Sequence, residues 1–380
     1  MKVTLVTHSM YPDSIGGREK YVYYLADGLG KDGHEVKVLT CSSRFHPHVK
    51  KYANFTVYYY PSIDIPLKAA KYRIPVGMVW SLFKDDSDIV HAHDLHHFTT
   101  FASSIISRIK GQKVVVTEHG YPKSEGMMKN LIKFYDKTLL RIIGSASSRI
   151  IGVSGFISNE LEARYHLDPS KVRTVYNAVN MIDGHEKGID FERKYGIRGK
   201  RIILGVGRLT KEKGFQYLIA AFKSINARYP DTVLVLIGPS TQYKNFLLRF
   251  AERNGIKDRV IFTGPLEESL VKSAIRSCEI ICIPSEYEPM PLIALEALHM
   301  KKPIVASRVG GLSEIFTDGK DALMVSPGNI KGLEEKISSL LSSKTLREKL
   351  MKNSRQTTKK YDWKSFLDQI VSVYEEARRN

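Results

Sequence analysis

Three short segments of this 380-residue chain combine glycines, cations and carboxylates in ways suited to handling phosphate or sugar. The first is Tyr11-Pro12-Asp13-Ser14-Ile15-Gly16-Gly17-Arg18-Glu19. It follows an apolar run and opens a helical pattern, so Gly16 and Gly17 would let an anion approach free backbone N–H groups at the positive end of a helix dipole. The plain alternative is a tight turn, and the spacing is not the dinucleotide-binding fingerprint. The second, Gly205-Val206-Gly207-Arg208-Leu209-Thr210-Lys211-Glu212-Lys213-Gly214, places Arg208 and Lys213 five positions apart across a strand-to-helix turn. A guanidinium fork and an ammonium converging on one anion suit a departing diphosphate, whereas solvated loop charges are the bland reading.

The third segment runs from Pro284-Ser285-Glu286-Tyr287-Glu288-Pro289-Met290-Pro291 into Leu292-Ile293-Ala294-Leu295-Glu296. Pro291 suits the first turn of a helix. Glu288 would then lie just before the helix and Glu296 about two turns into it. Carboxylates there can accept hydrogen bonds from sugar hydroxyls, and first-turn amides can face phosphate. Taken singly, a capping role for Glu288 and a surface role for Glu296 are the simpler readings.

These loops need rigid elements behind them, and the chain supplies a regular alternation of strand and helix. Candidate strands include Val3–Thr7, Glu35–Thr40, Ile89–His93 and Val114–Glu118, then Ile202–Val206, Val233–Ile237, Ile280–Pro284 and Ile304–Ser307. Between them, Val22, Leu25, Ala26 and Leu29, and later Phe215, Leu218, Ile219 and Phe222, recur at helical spacing. Alternation of this kind predicts parallel sheets covered on both faces, in an α/β fold of two doubly wound domains. The expected domains are 1–180 and 200–360, with a linker over 181–199 and a terminal helix over 361–380 that crosses back to the first domain. Facing domains would bring both glycine loops to one cleft.

Composition narrows the function classes. With 43% hydrophobic and 26% charged residues the chain reads as globular. Its net charge of +18 is spread along the sequence without a basic tail or any nucleic-acid module signature, which argues against nucleic-acid binding. Three cysteines without paired metal-binding spacing fit a reducing compartment, and no run is long and apolar enough to span a membrane. A cytoplasmic protein is expected, with peripheral attachment to the inner face of the membrane as the further option. That option rests on 127–143, where Lys129, Lys133, Lys137 and Arg141 recur every four residues beside apolar side chains. An ordinary amphipathic helix accounts for the same pattern.

In order along the chain stand Gly16-Gly17, His91-Ala92-His93, Thr117-Glu118-His119, Gly152-Val153-Ser154, Asn177-Ala178-Val179, Gly207-Arg208 with Lys213, Glu288 with Glu296, and Gly310-Gly311 with Glu314. Together they resemble the retaining family 4 glycosyltransferases of the GT-B fold, nearly end to end. The resemblance implies a nucleotide diphosphate sugar donor, with uridine diphosphate the default and guanosine diphosphate second, a sugar or lipid-linked acceptor, and no metal or cofactor. It assigns Gly16, and Gly17 beside it, to the donor diphosphate, with Arg208 and Lys213 holding it from the other side. Glu288 would bind hydroxyls of the transferred sugar, Glu296 the ribose, and backbone groups around Gly264 and Leu266 the base. His119 would sit against the donor sugar, whereas His93 stands nearer to an ordinary structural histidine. Many relatives have Phe-Gly where this chain has Met290-Pro291; Pro291 has no N–H, so Met290 and Leu292 must supply the amide contacts there. The rival readings are a sugar-nucleotide epimerase on the same plan and a catalytically silent sugar-nucleotide or glycan-binding protein.

Overall fold

The computed structural model describes residues 1–67, 70–121, 138–180 and 190–379. They form two compact units: Met1–Asn177 joined by Trp363–Asn380, and Ala178–Asp362. The sequence reading ended the first domain at 180, three residues later. Asp183–Gly188, the polar centre of the expected linker, and 127–137 of the expected basic helix lie outside the described residues. Residues 190–199, also expected as linker, belong to the second unit. There the Asp190 carboxylate accepts the Arg193 N–H and starts the helix Phe191–Tyr195, whose Phe191 is fully buried.

The sheet of the first unit contains β1 (Lys2–Thr7), β2 (Glu35–Ser42), β3 (His48–Lys51), β4 (Thr56–Leu67), β5 (Ala70–Pro75), β6 (Ile89–His93), β7 (Lys113–Glu118), β8 (Arg149–Gly152) and β9 (Val172–Thr174). Among the described residues its order is β3-β4-β2-β1-β6-β7-β8-β9, with β5 on β4. All neighbours from β4 to β9 pair in parallel. β3 and β5 add antiparallel to β4. The central strands are apolar on both faces because helices cover both. Val22, Leu25, Ala26 and Leu29 of the helix Gly17–Lys31 are fully buried, as are Ile370 and Tyr374 of the helix Trp363–Arg379. Each of the valine, leucine and isoleucine side chains among them contributes about 1.5–3 kcal/mol through burial.

The second unit carries β10 (Arg201–Val206), β11 (Thr232–Ile237), β12 (Val260–Gly264), β13 (Ile280–Ile283), β14 (Ile304–Ser307) and β15 (Leu323–Val325), in the order β12-β11-β10-β13-β14-β15, all parallel. Numbered within the unit this is 3-2-1-4-5-6, the order of dinucleotide-binding α/β domains. Phe215, Leu218, Ile219 and Phe222 of the helix Phe215–Arg228 pack with Ile203, Leu234 and Leu236 into one core. In such a sheet the chain leaves β10 in one direction and β13 in the other, so a crevice opens beyond their carboxyl ends. In the first unit the corresponding strands are β1 and β6.

Candidate functional site

The loops that follow β10 and β13 are pressed together by backbone contacts that only glycine permits. Gly214 has φ +69°, and a Cβ there would lie 1.9 Å from the Pro284 carbonyl oxygen. The turn Lys211–Lys213 is thereby laid against the end of β13, and the Glu286 N–H donates to the Glu212 carbonyl at 2.8 Å. Gly238, after β11, has φ +150° and would meet the Gly207 carbonyl at 2.0 Å. Backbone thus fixes the Arg208–Lys213 segment from two sides.

The side chains converge on Glu288. Its carboxylate is buried, with 3% of the residue exposed. Lys213 Nζ donates to Glu288 Oε1 at 2.5 Å and Ser285 Oγ donates to the same oxygen at 2.8 Å. The Glu288 carbonyl accepts the Gly311 N–H at 2.9 Å, and a Cβ on Gly311 would lie 2.1 Å from the Pro289 carbonyl. Glu288 is therefore held by loops after β10, β13 and β14 together. Arg208, on the same loop as Lys213, is exposed. Pro291 stands one residue before the helix Leu292–His299, in extended backbone and not in its first turn as the sequence suggests; Met290 is buried, and Leu292 and Glu296 are half-buried. Gly264 closes β12 with φ +74°, its carbonyl accepting the Gly238 N–H and the Thr263 hydroxyl, and Leu266 beyond it is half-buried.

The first unit builds a second charged cluster at its own β1/β6 crevice. Arg18 donates to Asp94, to Glu19 Oε1 at 2.7 Å and to Ser9 Oγ at 3.0 Å, while Ser9 Oγ donates to Glu19 at 2.6 Å. Glu19 is buried, and a Cβ on Gly16 would fall 2.2 Å from Glu19 Oε2. The first glycine thus makes room for a carboxylate of its own helix, and at Gly17 a Cβ would meet nothing within 4 Å. Burial is the largest influence on Asp94 and opposes its charge, but Arg18, the His97 hydrogen bond and the nearby His119 together outweigh it and hold the carboxyl well below its ordinary range. Asp94 has φ +65° and its Oδ1 accepts the His119 N–H at 3.3 Å. Glu118 behaves oppositely. Burial and the neighbouring Asp94 raise it to about 8, against the pull of the Leu95 and Gly120 N–H groups that its two oxygens accept.

Histidines fill the space beside this cluster. His93 Nδ1 lies 3.1 Å from His119 Nε2, and Tyr21 stands edge-on to both rings. His91 sits between Thr117 Oγ1 and the Tyr374 hydroxyl, each at 2.7 Å, and His8 stacks on His97 with ring centroids 4.3 Å apart. Burial lowers them all, His119 to about 4 and His91 to about 3.

The family model described as Glycosyltransferase Family 4 matches residues 15–181, and the one described as Glycosyl transferases group 1 matches residues 189–357. The chain belongs to glycosyltransferase family 4. It is 29% identical to an uncharacterised glycosyltransferase of Methanocaldococcus jannaschii, covering 98% of each chain. It is 26% identical to the alpha-D-kanosaminyltransferase of Streptomyces kanamyceticus, over 76% of this chain and 77% of that one. Among solved structures, Anabaena HepE in complex with UDP and glucose superimposes with a TM-score of 0.80 at 17% identity, covering 99% of each chain. The fold of this glycosyltransferase is GT-B.

Of the residues singled out in the sequence, the structure joins Lys213 directly to Glu288, sets Arg208 on the same loop and puts Glu296 on the helix that follows. His119 and Gly16 stand with the first unit's cluster. Arg18, Glu19, Asp94 and Glu118 escaped functional notice. Arg18 and Glu19 follow the glycine pair directly, and Asp94 follows His91-Ala92-His93, so a buried charge beside each motif was the available signal.

Proposed function

We propose that this glycosyltransferase moves a sugar, with retention of anomeric configuration, from a nucleotide diphosphate sugar to a hydroxyl acceptor without a metal ion. The observation that carries the reading is the buried Glu288 carboxylate held by Lys213 at the β10/β13 crevice, with Arg208 on the same loop. An ammonium has three N–H donors. One goes to Glu288, leaving two directions for phosphate oxygens. Glu288 accepts from sugar hydroxyls, Glu296 from the ribose, and Met290 and Leu292 offer amides at the helix start.

In the step itself the bond from the anomeric carbon to phosphate breaks and the acceptor oxygen bonds on the same face. Its proton passes to the leaving phosphate oxygen. Arg208 and Lys213 stabilise the charge that develops there, the role for which fixed donors are most effective. Uridine diphosphate is the first candidate for the donor, guanosine diphosphate the second; the solved structure of Anabaena HepE holds UDP and glucose. The acceptor is a sugar or a lipid-linked sugar bound by the first unit. Among the described residues no helix is long and apolar enough to cross a membrane. Of the expected basic stripe, Arg141 lies within them and is exposed.

A thermal-shift panel of nucleotide diphosphate sugars, followed by transfer assays with the stabilising donor, tests the proposal, since a ligand that binds the folded state raises its apparent stability. Transfer should persist in EDTA, and loss of activity that returns only with added magnesium or manganese contradicts the metal-free mechanism. Release of the sugar with no acceptor ever glycosylated favours an epimerase or hydrolase instead.

A further inference from the structure

We infer that His93 is a positioning residue that fixes His119 as the Nδ1–H tautomer, so that His119 offers the transferred sugar a hydrogen-bond donor and never an acceptor. The second clause rests on the proposed placement of His119 against the donor sugar. The first rests on the contact between the two rings and on the burial that keeps both neutral.

His93 is fully buried, and its Nδ1 lies 3.1 Å from His119 Nε2. Its other ring nitrogen, Nε2, is buried without a hydrogen-bond partner. Burial lowers both histidines, His119 to about 4, so each ring is neutral near pH 7 and carries one N–H and one bare nitrogen. The shared contact then has two solutions. In one, His119 Nε2–H donates to His93 Nδ1, and the proton of His93 must sit on Nε2, where nothing accepts it. In the other, His93 Nδ1–H donates to His119 Nε2, and the orphan in the core is a bare lone pair. Orphaned buried N–H donors are rarer than under-satisfied acceptors in folded proteins, which selects the second.

With Nε2 of His119 occupied as an acceptor, its proton lies on Nδ1. His119 is half-buried and its Nε2 is turned to the fully buried His93, which leaves Nδ1–H as the ring's one remaining donor. Tyr21, edge-on at 4.6 Å, and the Nε2 contact with His93 hold the ring, while the backbone N–H of His119 is anchored on Asp94 Oδ1. Such a donor can hold a hydroxyl or ring oxygen of the sugar. It cannot take the acceptor's proton, which is consistent with that proton leaving on phosphate.

Two-bond nitrogen–proton correlation spectra of the ligand-free, histidine-labelled chain read the tautomers directly. The expected result is Nδ1–H on both His93 and His119. His93→Asn keeps an N–H near the position of Nδ1 and should keep His119 as Nδ1–H. His93→Leu, of similar shape but without the donor, should release His119 into a mixture containing Nε2–H and lower kcat by about tenfold with little change in KM, as expected for a loss of roughly one hydrogen bond of positioning. His119 protonated at Nε2 in the unaltered chain, or unmoved in His93→Leu, overturns the inference. If the tautomers are as expected and His119→Ala still transfers sugar at full rate, the tautomer lock stands and the placement of His119 against the sugar fails.

Discussion

Lys213 and Glu288, 75 positions apart, leave different strands of the second sheet and meet at 2.5 Å across the point where strand order reverses. The pair is a structural clamp between two loops as well as the charge on which the proposed reaction relies.

Those two roles separate in a double substitution. Lys213→Met should lower transfer by about 100- to 1000-fold, the usual cost of one lost charge-stabilising donor. It should also destabilise the chain, because Glu288 remains buried without its cation. Adding Glu288→Gln should restore much of the stability and none of the activity. Urea unfolding and steady-state rates on the unaltered chain and the two variants check this, and recovery of activity in the double variant contradicts the assignment.

Acid stability should follow the histidines. The folded first unit keeps His8, His91, His93, His97 and His119 below their ordinary value of 6.5, so between about 4.5 and 6.5 the unfolded chain binds more protons and stability rises with pH. Glu118, raised to about 8, does the reverse from 4.5 upward, because there the folded state holds the extra proton. The five histidines outweigh Glu118 until each is only about one-fifth protonated in the unfolded chain, roughly half a unit above 6.5. Stability of the first unit should therefore peak near about pH 7 and fall gently towards about pH 8, with Glu118→Gln abolishing that fall and steepening the rise before it. Both tryptophans, Trp80 and Trp363, belong to the first unit, so fluorescence-detected unfolding reports it selectively. A flat profile from pH 5 to 6.5 excludes neutral buried histidines.

Gly214→Ala should be costly in a way Gly319→Ala is not. Both have a positive φ, +69° and +72°, which costs an alanine about 1–2 kcal/mol. At Gly319 a Cβ meets nothing within 4 Å, whereas at Gly214 it would strike the Pro284 carbonyl. Thermal unfolding and transfer rate should both fall further for Gly214→Ala, because Lys213 moves with the backbone.

Cys41, Cys278 and Cys282 are buried and unpaired, and burial raises all three thiols, Cys41 and Cys278 to about 12. They should resist a thiol reagent in the folded chain and react once urea unfolds it, without loss of transfer before unfolding. Rapid labelling under native conditions contradicts this.

The strands were legible where both faces are buried. Ile89–His93 and Ile304–Ser307 have the bounds expected from their β-branched runs. The antiparallel additions were not. β3 is His-Val-Lys-Lys, mostly exposed, and its alternation is too short to distinguish from a loop. Likewise Lys213 and Glu288 were legible as separate charges on separate loops, but their ion pair depends on Gly214 touching Pro284, a contact between distant backbones that no local pattern encodes. Asp94 was harder still, since its left-handed conformation and its bond to Arg18 exist only once β1 and β6 are neighbours.

The helix Trp363–Arg379 gives the chain an unusual order of assembly. Phe366, Ile370 and Tyr374 complete the first unit's core, and the Tyr374 hydroxyl meets His91 on β6, yet they are the last of that unit to be synthesised. The second unit is continuous from Ala178 to Asp362 and has all its parts before Trp363 is added. Domains commonly fold in the order in which they emerge from the ribosome. Here the later-made unit is able to finish first, while the earlier-made one waits with the histidine side of its sheet uncovered.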